Sequence, residues 1–275
     1  MVPGFAAVDA SAVTDVSRRY LRRMTSLAAP VPPVPLDVPP GTVAWLRASV
    51  ARFSNGSDHH RRRGLAVELL AGIAVEALQE SAFLQTSRIV STLDVFDVMA
   101  EIARPVPVGV LAAALGLPDV SADVALVAAA YHPHVTPDAA AEAALTRLLA
   151  ACGATDELAA ARIGLLVQAR DATAGLVGNE LSALLTGNPA SQPVLYTRRR
   201  IDGEDVTVSL AGTPFGAGPR ACPGARHAEA LATGVLQALR GFRLTETETT
   251  WVSSPNLRMP SELWVTRRGS AAGLC

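Results

Sequence analysis

The ten residues Phe215-Gly-Ala-Gly-Pro-Arg220-Ala-Cys222-Pro-Gly224 constrain this chain more than any other segment. An Ala/Leu-rich stretch with helical spacing follows at once, so Cys222 stands in a loop just before a helix. A helix N-terminus is positive and its N–H groups can hydrogen-bond sulfur, which favours a thiolate. A thiolate held this way is a strong axial ligand for haem iron. Gly216 and Gly218 let the backbone turn tightly and approach a flat ligand where a Cβ would stand in the way. The plainer reading of the same loop is a structural cysteine beside a glycine turn.

Composition bounds the rest. A chain of 275 residues with 49% hydrophobic residues can build a sizeable core without disulfides. A net charge of −1 gives no electrostatic case for nucleic acid or an anionic membrane as partner. All 24 basic residues are arginine, the usage expected of a GC-rich bacterial genome. Cys152, Cys222 and Cys275 are too widely and unevenly spaced for a disulfide framework or a zinc site. No secretory leader and no bilayer-length apolar run is evident, so the sequence predicts a cytoplasmic protein.

Residues 1–41 read as an N-terminal arm, with a short helix over Ala10–Leu27 and then a proline-rich segment that blocks helix and central strand. Residues 42–275 form the main domain. Apolar periodicity predicts helices over Val43–Phe53, His60–Leu70, Gly72–Leu84, Val95–Ala103, Val108–Leu115, Ala122–Ala130, Pro137–Ala151 and Thr155–Leu185. Val194–Ile201 and Val206–Leu210 flank Asp202-Gly203-Glu204-Asp205 as a hairpin. A helix over 224–240 follows the Cys222 loop, with Leu231, Val235, Leu236 and Leu239 as its stripe, and Trp251–Val252 and Leu263–Thr266 read as short strands. The fold class is mainly α with a small β part.

The Cys222 loop resembles the haem-ligand signature of the cytochrome P-450 family, the haem-thiolate monooxygenases, in its Phe-Gly-x-Gly-x-Arg-x-Cys-x-Gly pattern. The resemblance implies a reduced cytochrome P-450-like fold. It also implies haem b (iron-protoporphyrin IX), with Cys222 as metal ligand and Phe215, Gly216, Gly218, Arg220 and Gly224 shaping the loop around it. Asp58-His-His-Arg-Arg-Arg63 is similar to the family helix whose His-x-x-x-Arg pair meets the haem propionates. His59 and Arg63, at i and i+4, share one helical face. Thr197-Arg-Arg-Arg200 resembles the strand that supplies another propionate arginine, for which Arg198 is the candidate. Leu165 to Gly175 resembles the long helix over the distal haem face. Asp171 matches its acid; Ala172 takes the usual threonine position and Thr173 comes one residue later, about 100° further round. Each of these segments also has an ordinary structural reading as a solvated basic turn, a strand end or an amphipathic helix.

The departures carry weight too. The chain is much shorter than typical members. Between Leu185 and the Cys222 loop there is no Glu-x-x-Arg helix and no long meander; Glu101-Ile-Ala-Arg104 fits the pattern but lies far upstream, as an i,i+3 ion pair or a coincidence. The stretch between Pro118 and Thr155, where the family builds its substrate lid, is short, which predicts an open pocket or one completed by a homodimer. It holds His132 and His134, which read as surface residues rather than metal ligands.

Two functions are compatible with this pattern. One is a compact haem-thiolate oxidoreductase, monooxygenating or peroxide-driven, acting on a small or peptide-like organic substrate. Its electrons would come from a ferredoxin-type partner if dioxygen is the oxidant, with Asp171 and Thr173 as the catalytic candidates. The other is a non-catalytic haem-binding or accessory protein for a biosynthetic partner enzyme.

Overall fold

The computed structural model describes residues 24–268 apart from 247 and 255. Most of the Ala10–Leu27 helix and Cys275 therefore lie outside the described residues; 24–28 are helical.

One helix organises the molecule. α7 (Glu157–Thr186) is 30 residues long, about 45 Å at 1.5 Å per residue. Asp156 caps its start by accepting from the Ala159 N–H at 2.8 Å, and Gly187 ends it in the left-handed region at φ 76°. Before it come α1 (Val43–Ser49), a 3-10 turn (Ala51–Phe53), α2 (Gly56–Ala71), α3 (Val75–Val90), α4 (Pro105–Ala114), α5 (Ser121–Ala129) and α6 (Ala139–Cys152). After it come the hairpin β2 (Tyr196–Ile201) and β3 (Glu204–Ser209), then α8 (Ala225–Ala238). α7 packs against α1, α2, α4, α5, α6 and α8. Its buried positions surround the helix rather than forming one stripe, as expected of a helix at the centre of a bundle.

Several boundaries move from the sequence expectation. Val95–Ala103 divides: β1 (Val95–Asp97) pairs with β5 (Trp264–Arg267), and a π-helical turn covers Met99–Ala103. β-branched and aromatic residues at 95 and 96, with a cross-chain partner available, override the helical spacing. α4 begins at Pro105, because proline is tolerated in a helix's first turn where its missing N–H has no intrahelical partner anyway. Glu101 is exposed, and Arg104 donates to the Ser261 carbonyl at 2.9 Å, so these two make no ion pair. The hairpin turn is tighter than read: Asp202 and Gly203 sit at φ 51° and 85°, and Glu204 and Asp205 already belong to β3.

The β1–β5–β4 sheet, with β4 at Phe242–Leu244, closes one end of the bundle. Phe96 and Phe242 meet edge to face across it at 5.3 Å, a geometry worth about 1 kcal/mol beyond the buried area. α8 lies along α3 at a close crossing. A Cβ at Gly234 would stand 2.2 Å from the Gln79 carbonyl oxygen, so only glycine permits this approach. The crossing fixes the helix that directly follows Cys222. No helix among the described residues is long and apolar enough to cross a membrane.

Candidate functional site

The segment bearing Cys222 is pinned to both ends of α2. Arg220 reaches the start of that helix, donating from Nη2 to Asn55 Oδ1 at 2.7 Å and to the Ser54 carbonyl at 3.2 Å. His227, in the first turn of α8, meets the Leu70 carbonyl at the other end of α2 at 3.0 Å through Nε2. Between these anchors the chain turns on Gly216 and Gly218, at φ 72° and 63°, a region that side-chain-bearing residues avoid. The Cys222 N–H closes the loop by donating to the Phe215 carbonyl at 2.7 Å.

Cys222 is exposed, yet protein around it pushes its thiol pKa up by desolvation. The Gly224 N–H hydrogen bond and the charges of Arg63 and Arg52 pull in the opposite direction, favouring the thiolate.

Around this sulfur the structure gathers positive charge. His59 is buried, and its pKa falls to about 4, first through burial and then through Arg220, Arg63, His60 and Arg199. Arg199 is lowered to about 10 by burial and by the neighbouring Arg220 and Arg52. Burial and Arg63 also lower Arg220. Among the described residues no carboxylate pairs with Arg52, Arg63, Arg199 or Arg220. Arg199 and Arg220 instead donate to neutral acceptors: the Leu27 and Arg198 carbonyls and Thr197 Oγ1 for the first, Ser54 and Asn55 for the second. The desolvated Arg199 and Arg220, the nearby Arg63 and Arg52 and the buried His59 thus lie within electrostatic reach of neighbours in the same group, with no carboxylate partner for the arginines among the described residues. Desolvated cations that repel one another need a negative partner.

The strand's arginine run divides between two faces, which bears on Arg198, the propionate candidate. Arg198 lies on the outer face of β2 and makes only a long contact to Asp205 at 3.8 Å. Arg199 faces inward. The alternation of the strand decides this: Thr197, Arg199 and Ile201 share one face and Arg198 and Arg200 the other.

On α7 the two catalytic candidates separate. Asp171 is half-buried and bonds to the guanidinium of its neighbour Arg170. Thr173 is fully buried within the bundle. Asp171 lies within electrostatic reach of His132, whose pKa is lowered chiefly by burial and then by Arg52, while Asp171 acts to raise it. The His132 loop is clamped by the buried Arg47, which donates to the carbonyls of Tyr131 (3.2 Å), Val135 (2.7 Å) and Ala130. His132 and His134 stack with centroids 5.5 Å apart, and no third metal-ligating side chain joins them among the described residues. Arg47, Arg52, Asn55 and Arg199 escaped sequence reasoning because their roles depend on partners far away in the chain.

No family model and no curated protein matches this sequence. Solved structures do. The chain is similar to the cytochrome P-450 BioI bound to an acyl carrier protein ligated to hexadec-9Z-enoic acid: TM-score 0.71, 17% identity, covering 90% of each chain. It is similar to a cytochrome P-450 from Chondromyces apiculatus, with TM-score 0.59 and 19% identity over 86% of this chain and 81% of that one. It is also similar to the PksS cytochrome P-450 of the Bacillus subtilis bacillaene polyketide synthase, with TM-score 0.64 and 15% identity over 82% of both. The chain has a cytochrome P-450-like fold, mainly α with a small β part.

Proposed function

We propose that this protein is a compact haem-thiolate oxidoreductase in which Cys222 would hold the haem iron. One observation carries the reading: an exposed thiol, on a loop with two left-handed glycines, lies within electrostatic reach of Arg63 and Arg52, beside the buried Arg199 and Arg220, and none of these arginines has a carboxylate partner among the described residues. Haem b fits that set, since it brings an iron for the sulfur and two carboxylates for the cations. Cys222 would hold the iron, with the Gly224 N–H and the nearby arginine charges offsetting part of the burial that raises its thiol pKa. Arg63, Arg199, Arg220 and His59 would hold the propionates, and His59 would take up a proton as they arrive. When bound, the haem supplies oxidising chemistry that the side chains cannot.

The chain's own share is positioning and proton handling. Asp171, already bonded to Arg170, is the group on α7 suited to pass protons. With Ala172 rather than a threonine beside it, an oxidant that needs little proton delivery, such as a peroxide, suits this helix as well as dioxygen does. A dioxygen route would draw electrons from a ferredoxin-type partner. The substrate is a small or peptide-like organic molecule. The carrier-protein complex of one similar structure and the polyketide assembly of another support adding carrier-tethered acyl groups to the substrates tested.

The deciding experiment is the absorption spectrum of haem-supplemented protein, reduced and treated with carbon monoxide. A strongly red-shifted Soret band is expected for the wild type, and its complete loss in Cys222→Ala. A band that survives the substitution, or a wild type that never shows one, overturns the ligand assignment.

A further inference from the structure

The proline-rich arm is joined to this site by its backbone. Leu27, Val31 and Val34 are buried, yet none belongs to the main apolar core. The Leu27 carbonyl accepts from Arg199 Nε at 2.9 Å, and the Pro30 carbonyl accepts from the Arg200 N–H at 2.7 Å. Val31 pairs both ways with Asn55: its N–H donates to Oδ1 at 2.9 Å, and Nδ2 donates to its carbonyl at 3.0 Å. Within Pro30-Val31-Pro32-Pro33 only Val31 has an N–H to give, and Asn55 takes it.

Asn55 holds the N-cap position of α2, where an asparagine side chain ordinarily accepts from the helix's own N–H groups. Here it makes no such bond. The oxygen that would cap the helix accepts instead from Val31 and from Arg220, two residues before Cys222.

We infer that the arm and Asn55 form a brace that sets the Cys222 loop and two of its cations, with Asn55 acting as a positioning residue through Arg220. Arg199 and Arg220 repel each other and, left free, would turn to solvent. A carboxylate tether would hold them but cancel the charge that a haem needs. Carbonyl and amide oxygens hold them and leave the charge available. The prolines fix φ beforehand, so ordering the arm costs less conformational entropy. The value of the brace to haem rests on the function proposed above; its effect on the loop does not.

Two variants test it from opposite sides. Asn55→Ser keeps a residue able to cap α2 but too short to reach both Val31 and Arg220. Val31→Pro removes the arm's donor and leaves Asn55 intact. In haem-free protein, amide hydrogen exchange across 215–224 is expected to quicken about tenfold in each variant, with protection of α7 unchanged. Haem titrated into the same samples should bind about tenfold more weakly, with a diminished thiolate band. Wild-type exchange across 215–224 in both variants overturns the brace, however well they bind haem. A wild type without a thiolate band overturns the haem reading, and the exchange data still decide the brace.

Discussion

The Cys222 region and the α7 region of the candidate site are built on different principles. On the Cys222 side, α2, β2, the loop and the arm are tied by directed hydrogen bonds. Arg220 joins Ser54 and Asn55, Arg199 joins Leu27, Asn55 joins Val31 and His227 joins Leu70. On the α7 side, packing dominates: Thr173, Ala174 and Val177 are buried, and Asp171 turns to its own neighbour. The first side carries unbalanced positive charge and the second is close to neutral. In the haem protein proposed above, such an arrangement would hold the cofactor from one face and leave the other free to vary with substrate and oxidant.

The largest effect expected to sharpen that contrast is on the α7 side. Asp171→Asn should lower turnover by about a hundredfold if the carboxylate passes protons, with haem binding unchanged. Thr173→Val, at a buried site, should leave turnover near wild type while shifting stability. Steady-state rates with a peroxide and with a reductase, run in parallel, check both. A large loss from Thr173→Val alone would move the proton route onto that hydroxyl.

Next comes the arginine pair. Arg199→Ala should weaken haem binding roughly tenfold to a hundredfold, since it removes a buried charge-assisted contact. Arg198→Ala, at an exposed position with one long ion pair, should change affinity little. Haem titrations of the two single variants read the difference directly, and equal effects would break the inside–outside assignment of β2.

The smallest effect is in pH. The His59 pKa is lowered from 6.5 to about 4 in the folded chain. Between those values the unfolded chain holds a proton that the folded chain does not, so stability is full above 6.5 and falls as pH drops toward 4. Glu157, bonded to Arg61 and Arg62, is held at about 2 against 4.5, so its contribution is lost in a second, lower window. Thermal melts of haem-free protein across pH should show both windows, and His59→Gln should shrink the upper one, leaving the part that comes from His132, while sparing the lower. Bound haem should flatten that upper window, because a propionate favours the charged imidazole.

Much of the framework was legible in the residues. The long α7, the α8 stripe and the hairpin follow from apolar spacing and from Asp202-Gly203 at the turn. Cys222 stood out because two glycines, a proline and a following helix allow few other conformations. The misreadings share one cause. Val95–Asp97 became a strand because β5, far along the chain, offered it a partner. Arg198 was preferred to Arg199 because a run of like residues does not reveal which face is buried until the strand's partners are known.

What the sequence determined, then, is local: which segments can be helices, where the chain must turn, and that one cysteine sits in a glycine-rich loop just before a helix. Tertiary structure alone decided that Arg199 and Arg220 join Arg63 around His59, and that Asn55 abandons its helix for the arm. Both outcomes depend on charges and hydrogen-bond partners separated by up to 172 residues in the chain, and only folding brings these together.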